Sequence, residues 1–369
     1  HITVFRFGGK TKEGAKMMDD LSRGMSKLTV RSGSKANIER RRLGSEKEAD
    51  YDRKPGILSS IKRLFVSDAK IDEAGKEDNR RDARLAQPIE KPLYHAFKPV
   101  PNLPLPQIDD CPEFSTDICD YMYHFQAYHP ANFLENCALT PTQRQRVITF
   151  IAERHADYAQ PIESFHLAVF LIDTMMAKGQ LNTENAELMC IAALSLASKH
   201  ERQVGLHREI LREYSLSKRL RHEAKIFQSM GFCLGQHTVI HLMRILSAAV
   251  YTKGYKDADE INAWNSAKVL SQVAVMDASL VGGTKTSLVA AAVLRLSLAL
   301  ISRKWMEVYT LQSQHAEEEI RKATVHLYRF TKKLFDDNKN AVICKIPGNK
   351  SGSDFIRGSL GEAAIVLGF

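Results

Sequence analysis

The side chains that most often carry chemistry are scattered through this sequence. The 13 histidines include no H-E-x-x-H pair, and the six cysteines include no C-x-x-C pair. Zinc sites and small disulfide frameworks are typically built from such short spacings, so the pattern argues against both. Widely separated cysteines are typical of a reducing compartment, the cytosol or the nucleus. We therefore expect neither a metal ion nor another cofactor.

One short segment, VGGTKT at residues 281–286, has the composition of a phosphate-binding loop. It lacks the first glycine at the spacing that such loops require, and no strand pattern precedes it. The sequence therefore predicts no nucleotide site. No run of about 18 apolar residues occurs, so no membrane-spanning helix is predicted either.

The elements that position the remaining candidates begin after residue 112. Residues 1–112 are predicted to be a disordered basic tail ending in a Pro-rich linker, because charges of both signs are mixed with Gly and Ser and aromatic residues are rare. Nearly all of the formal charge of +9 lies in residues 1–100. A basic tail is typical of a solvated or nuclear-targeted segment, and nucleic-acid binding through the tail is the alternative. The near-neutral remainder argues against nucleic-acid binding by the folded region.

From residue 113 onward, apolar residues recur at the i, i+3, i+4, i+7 spacing of helices, and no strand-like alternation appears. Thr140 and Gln143 fit a capping box around Pro141, and Lys178-Gly179 is a stop signal. Two segments, 184–199 and 287–300, are apolar almost all round, as is typical of the central helix of a bundle. The predicted helices cover residues 117–128, 140–155, 160–178, 184–199, 218–230, 237–251, 258–277, 285–302 and 315–334.

This pattern predicts an all-α protein with two tandem helical bundles, residues 113–234 with a leading helix and residues 235–338. Each bundle contains one dominantly apolar helix surrounded by amphipathic ones. Residues 339–369 include the polar segment GNKSGSDF and are predicted to be a flexible tail.

The first bundle resembles the cyclin box, the first helical repeat of cyclins. The blocks RQRVITFIAERHADY, FHLAVFLIDTMM, LSLASKHER and RHEAKIFQSMGFCLGQHT match the family pattern in order. DICDYMYHFQAY resembles the N-terminal helix of A- and B-type cyclins, and residues 266–300 resemble the second cyclin fold. The resemblance implies two tandem cyclin-fold bundles. It also implies a non-catalytic subunit, in nucleus and cytoplasm, that binds and activates a cyclin-dependent serine/threonine kinase in cell-cycle control, with kinase substrates or inhibitors as further partners.

The resemblance also implies residue roles. Lys199 and Glu223 match the pair that hydrogen-bonds backbone groups of the kinase in cyclins, with a plain helix-to-helix ion pair as the alternative. Five residues match apolar contacts to the kinase, with core packing as the alternative: Leu196, Phe232, Leu234, Ile118 and Tyr121. Arg144 and Asp173 match a buried ion pair that holds the cyclin box together.

The sequence departs from the family at the substrate-docking patch, where the family has M-R-A-I-L and a Trp. Gln143, Val147 and Phe150 stand in that region here, so a degenerate patch is predicted. One aromatic kinase contact is replaced by His200. These departures motivate an alternative function, a cyclin-fold scaffold without kinase activation that acts in transcription or chromosome metabolism. In the tail, residues 40–43 (RRRL) fit a minimal R-x-x-L degradation signal.

Overall fold

A computed structural model of the chain describes residues 114–157, 160–202, 214–251, 257–337, 343, 346 and 348–368. The tail and linker predicted over residues 1–112, including the R-x-x-L signal, lie outside these residues. The described helices are α1 (Ser115–His124), α2 (Pro141–Asp157), α3 (Ile162–Ala177), α4 (Ala186–Arg202), α5 (Leu216–Ser229), α6 (Val239–Val250), α7 (Ala258–Met276), α8 (Ala278–Val281), α9 (Thr286–Leu300), α10 (Glu307–Ser313), α11 (Glu317–Asp337) and α12 (Lys350–Leu367).

Local sequence signals set several helix ends. At the start of α2, the Thr140 backbone N–H donates to Gln143 Oε1 at 2.8 Å, and the Gln143 N–H donates to Thr140 Oγ1 at 3.2 Å. This reciprocal pair is the capping box predicted from the sequence. At the end of α3, Gly179 adopts a φ of +63°, which only glycine adopts at little cost. Both predictions are confirmed.

The helices form an all-α architecture of two bundles. In the first, α4 packs against α2, α3 and α5. In the second, α9 lies at the centre and packs against α6, α7, α11 and α12. Most side chains of α9 are buried, as predicted from its apolar composition. Among the described residues, no helix has both the length and the apolar content needed to cross a membrane.

Arg144 of α2 joins the two bundles. Its guanidinium is fully buried and donates from Nε and Nη2 to the two carboxylate oxygens of Asp173 on α3, both at 2.7 Å. It also donates to the carbonyls of Val275 and Met276, both at 2.9 Å. Those carbonyls end α7, where they have no intrahelical donor and where the helix dipole favours a cation. One side chain therefore connects α2, α3 and α7.

A second connection is made by residues 125–140, here called the strap, which leads from α1 to α2. The Ala127 N–H donates to the carbonyl of His237 at 2.8 Å, just before α6. Gly283, just before α9, donates its N–H to the carbonyl of His129 at 2.8 Å. A Cβ on Gly283 would lie 2.9 Å from the Cβ of Ala131, so the strap requires glycine there. The VGGTKT segment, whose composition is like that of a phosphate-binding loop, thus allows close packing against the strap.

The prediction of a flexible tail over residues 339–369 is wrong for α12. Helix α12 packs against α7 and α9 and buries Ile356, Leu360 and Ala363. Gly352 allows this approach, because a Cβ there would lie 2.6 Å from the carbonyl oxygen of Asn265 on α7. Helix α10 was also missed by the sequence analysis. Tertiary packing stabilises both segments despite their weak local signals.

We predict that Arg144→Met lowers the free energy of unfolding by about 3–5 kcal/mol, because it leaves the Asp173 carboxylate buried without its cation. The double variant Arg144→Met/Asp173→Leu removes both charges and is expected to be more stable than the single variant. Urea denaturation of the variants and the wild type measures this. Equal stability of the single variant and the wild type would contradict the role given to Arg144.

Two glycines of α12 provide a matched pair. Gly352→Ala is expected to destabilise the protein by about 1–3 kcal/mol, because the added methyl group overpacks the contact with α7. Gly361→Ala is expected to stabilise it by about 0.5–1 kcal/mol, because a Cβ there meets nothing within 4 Å and Ala is the better helix former. Thermal unfolding compares them. Equal shifts for both variants would show that α12 does not dock on α7.

Candidate functional site

The predicted pair Lys199 and Glu223 is formed. Lys199 lies in the last turns of α4, and its Nζ is 2.7 Å from Glu223 Oε2 on α5. The side chain of Lys199 is 46% exposed, whereas that of Glu223 is buried. Arg219, one turn earlier on α5, has its Nε 3.9 Å from Glu223 Oε1. An ammonium group uses one of its three donors here, so Lys199 can still donate to another molecule.

The turn after α5 presents Phe232 to solvent. The N–H of Phe232 donates to the Phe227 carbonyl and that of Gly231 to the Gln228 carbonyl, both at 2.9 Å, which is a Schellman ending. Gly231 and Phe232 both adopt a φ of +61°. This conformation is strained for an aromatic residue. The Phe232 side chain is nevertheless 65% exposed, so the strain is not explained by burial in the core.

Helix α1 supplies the third part of the site. Tyr121 is 51% exposed, and Ile118, one turn earlier, is half-buried. The Tyr121 ring packs against Phe125 and, in a T-shaped arrangement, against His237, with ring centroids 4.7 and 5.4 Å apart. These contacts hold α1 beside the loop that leads to α6.

The predicted contact residues lie on elements that neighbour one another in the structure. Gly235 lies between α5 and α6, and a Cβ on it would be 4.0 Å from both the Tyr121 hydroxyl and Cys233 Sγ. This contact brings α1 next to the turn that carries Phe232 and the half-buried Leu234. Leu196 lies one turn before Lys199 on α4 and is also half-buried. We call this set the Lys199 surface: Lys199, Glu223, Leu196, Phe232, Leu234, Ile118 and Tyr121.

A group of histidines beside this surface was missed by the sequence analysis. His241 of α6 has its Nε2 3.6 Å from Glu201 Oε2 of α4, and its ring packs on His237 with centroids 5.8 Å apart. Burial lowers the pKa of His237 to about 4, with a contribution from the His241 charge. Burial alone would raise the pKa of Glu201, but hydrogen bonding to His241 and nearby positive charges hold the pKa below its ordinary value. No local spacing in the sequence predicts that these residues, which are far apart in the chain, come together.

The residues of the predicted docking patch are occupied within the fold. Gln143 is engaged in the capping box of α2. Val147 and Phe150 are buried, and the Arg154 guanidinium lies over the Phe150 ring at 5.3 Å from its centroid. The three positions therefore present no open apolar surface. An apolar side chain of a docking peptide would have to displace Arg154 to reach Phe150.

Comparison with known families finds one matching model, "Cyclin, N-terminal domain", over residues 117–235. This range begins in α1 and ends in the loop before α6, so it covers the first bundle and every residue of the Lys199 surface. It also contains the Arg144–Asp173 pair. The second bundle lies outside the matched range.

Similar proteins include the G2/mitotic-specific cyclin-B of Spisula solidissima, 26% identical over 246 residues, which are 64% of this chain and 56% of that protein. The G2/mitotic-specific cyclin-B1 of Caenorhabditis elegans is 27% identical over 51% of this chain and 55% of its own length. The matches thus span little more than half of these relatives. A chain of the solved yeast RNA Pol II CTD kinase CTDK-1 complex matches with 16% identity and a TM-score of 0.45, over 57% of this chain and 74% of that one.

The first helical bundle is thus similar to the N-terminal domain of cyclins. The similar mitotic cyclins are distant relatives, at 26 and 27% identity.

We predict that His237 makes stability depend on pH. Its folded pKa of about 4 lies below the ordinary value of 6.5, so the folded state disfavours the protonated ring. The contribution of the neutral His237 ring to the free energy of unfolding is therefore fully present above pH 6.5. It is lost as the pH falls toward 4, by at most about 1.4 kcal/mol per pH unit.

Urea denaturation of the wild type and His237→Gln between pH 8 and pH 5 tests this. The difference at pH 8, where the imidazole is neutral, gives the intrinsic cost of the substitution. We expect the variant to lose less stability on acidification than the wild type. Parallel pH profiles would exclude His237 as a source of acid sensitivity.

Proposed function

We propose that this protein is the regulatory subunit of a cyclin-dependent serine/threonine kinase and that it binds and activates that kinase in cell-cycle control. The observation that carries the proposal is the Lys199–Glu223 pair at 2.7 Å, which lies on a surface with strongly exposed aromatic side chains. The names of the mitotic cyclins that the chain resembles support it. We propose the nucleus and cytoplasm as its location.

The proposed action needs no chemistry from the protein itself. A ligand shifts a conformational equilibrium only by binding one state more tightly than the other. Lys199 and Glu223 offer a donor and an acceptor to backbone groups of the kinase, while Phe232 and Leu196 offer apolar area. If these contacts fit the active arrangement of the kinase better, binding favours the state in which the kinase's own Lys–Glu ion pair forms.

The exposed Phe232 supports a binding role on energetic grounds. An aromatic residue in the left-handed region costs about 1–3 kcal/mol, and exposing its ring gives up the gain of burial. A folding role does not account for that combination. Burial of the ring under a partner would offset both costs.

The charge-swap variant Lys199→Glu/Glu223→Lys tests the proposal. It keeps an ion pair between α4 and α5, so the helices remain connected, but it exchanges donor and acceptor toward the partner. We expect it to abolish co-purification of the kinase. Affinity purification followed by a kinase assay, with thermal unfolding as the control for folding, measures this. Wild-type kinase binding by the swapped variant would reject these roles.

Phe232→Asn provides an independent test, since the charge swap also places a second cation next to Arg219. Asn tolerates the left-handed region, so this variant is expected to fold with equal or greater stability. We expect its affinity for the kinase to fall at least 10-fold.

If the wild type binds the kinase but leaves its activity unchanged, the scaffold function is favoured instead.

A further inference from the structure

Helix α11 of the second bundle has an uneven distribution of charge. Residues 317–319 in its first turn are all Glu, and residues 336–337 at its end are both Asp. Residues 320–335 between them contain no acid and five cations: Arg321, Lys322, Arg329, Lys332 and Lys333. The helix dipole favours acids in the first turn and cations in the last turn, and its effect falls off between them. It therefore does not account for the cations in the middle of α11.

Four of these cations form a ridge along the helix. Successive residues turn by about 100° and rise by about 1.5 Å, so Lys322, Arg329 and Lys333 lie within about 40° of one another over about 17 Å. Lys332 lies about 60° to one side of Arg329. All four residues are exposed, and the side chain of Lys322 is 71% exposed. We call these four residues the α11 ridge.

The opposite side of α11 is the side that packs in the second bundle. Ile320, Thr324, Leu327 and Thr331 lie there, about 140–200° around the helix from Lys322, and all four are fully buried. The helix packs against α9 more extensively than against any other described helix. The α11 ridge therefore points away from the protein.

The acids nearest to the α11 ridge lie at its two ends. Glu318 accepts hydrogen bonds from Arg321 at both carboxylate oxygens, each at 2.8 Å, and its Oε1 is 3.6 Å from Lys322 Nζ. Asp336 follows the last cation of the ridge and is exposed. These acids limit the positive strip to about 17 Å, which is the axial distance from Lys322 to Lys333.

The charge within the ridge is not balanced by the fold. Lys332 and Lys333 form no ion pair with an acid in the part of the chain that the structure describes. Arg329 lies one turn before Lys333, and like charges at this spacing destabilise a helix. Bringing acids of another molecule to the ridge would offset this repulsion.

We propose that the α11 ridge binds an acidic segment of a partner protein, whose Asp and Glu side chains face the ridge over about 17 Å. Lysine is a flexible, compact charge, so the ridge selects the charge and length of the acidic run more than one exact geometry. The residues of the Lys199 surface belong to none of the helices against which α11 packs. The segment can therefore bind with or without a kinase, and the inference does not rest on the proposed function.

An acidic protein segment fits the ridge better than a nucleic acid does. Nucleic acids present phosphates along an extended path, and their binding requires many cations along that path. Such a path would meet Glu318 and Asp336 at the two ends of the ridge. Outside residues 1–100 the chain is also close to neutral. A protein segment with a short run of acids avoids both sources of repulsion.

The triple variant Lys322→Gln/Lys332→Gln/Lys333→Gln tests the ridge in the full chain. Gln is a good helix former, so the variant should unfold at the temperature of the wild type. The probe is a fluorescently labelled oligoglutamate peptide of about 11 residues, which spans the ridge when it is helical. We expect fluorescence anisotropy at low salt to show a Kd about 10-fold higher for the variant, because three exposed ion pairs are lost.

The matched control is Lys218→Gln/Arg221→Gln/Lys225→Gln, which removes the same charge from exposed positions of α5. We expect this control to bind the peptide as the wild type does. The basic residues of the tail are the same in both variants, so peptide bound to the tail contributes equally. Equal losses of affinity in the two variants, or no loss in the ridge variant, would overturn the proposal.

Chemical coupling locates the bound peptide independently. A carbodiimide joins a carboxylate to a nearby Lys amine as an amide and takes up the water that is released. We expect mass spectrometry to find Lys322, Lys332 and Lys333 coupled several-fold more than the exposed Lys218 and Lys225, because bound carboxylates lie beside the ridge. Equal coupling at the two helices would contradict binding at the ridge.

A labelled DNA duplex is the competing probe. Salt-sensitive binding of the duplex that is lost in the ridge variant but kept in the α5 control would assign the ridge to nucleic acid and overturn its assignment to an acidic protein segment. We expect the two variants to bind the duplex equally. Recovery of a kinase is measured separately, so a failure of the proposed function is distinguishable from a failure of this inference.

Discussion

The buried guanidinium of Arg144 is the interaction on which the arrangement of the two bundles depends. It donates four hydrogen bonds, two to Asp173 and two to the last carbonyls of α7. The guanidinium is planar and its donors have fixed directions, so α2, α3 and α7 can satisfy it in one relative orientation. A rotation of either bundle would leave a buried charge or a buried carbonyl without its partner.

Because this contact fixes the orientation of α2, α3 and α7, the Lys199 surface lies on a rigid part of the structure. Its parts come from α1, α4, α5 and the loop before α6, which are distant in sequence. The strap holds α1 through hydrogen bonds to residues that precede α6 and to residues around the start of α9. The side chains at the surface are consequently exposed but well positioned, which reduces the entropy that a partner must remove on binding.

Most of the helices could be predicted from the sequence, because their apolar periodicity reflects burial on one face. Helix α12 was missed because Gly352, Gly358 and Gly361 are poor helix formers, and packing on α7 stabilises that helix instead. The capping box at Thr140 was readable because its residues are three apart. Features carried by neighbouring residues could be predicted from the sequence, whereas features that depend on contacts between distant residues could not.

The candidate site could likewise be predicted only in part from the sequence. Lys199, Glu223 and their apolar neighbours were found through a family resemblance, since nothing in their spacing shows that they meet. The carbonyl acceptors of Arg144 are backbone atoms and carry no side-chain signature. The meeting of the histidines with Glu201 depends on which helix faces are buried, and that is a property of the tertiary structure.

The strap has a consequence for synthesis of the chain. Ser287 donates its backbone N–H to Gln126 Oε1 across 161 residues, and Gly283 is similarly remote from His129. A nascent chain that has just completed α5 contains Lys199 and Glu223 but lacks the residues that hold the strap. Since domains generally fold as units in the order of their synthesis, the α1 part of the surface is assembled last. A truncated product ending before α9 would lack the strap's partner in α9, Ser287, so Ile118 and Tyr121 of the Lys199 surface would be held less firmly and the product would compete poorly with the finished protein for the proposed partner.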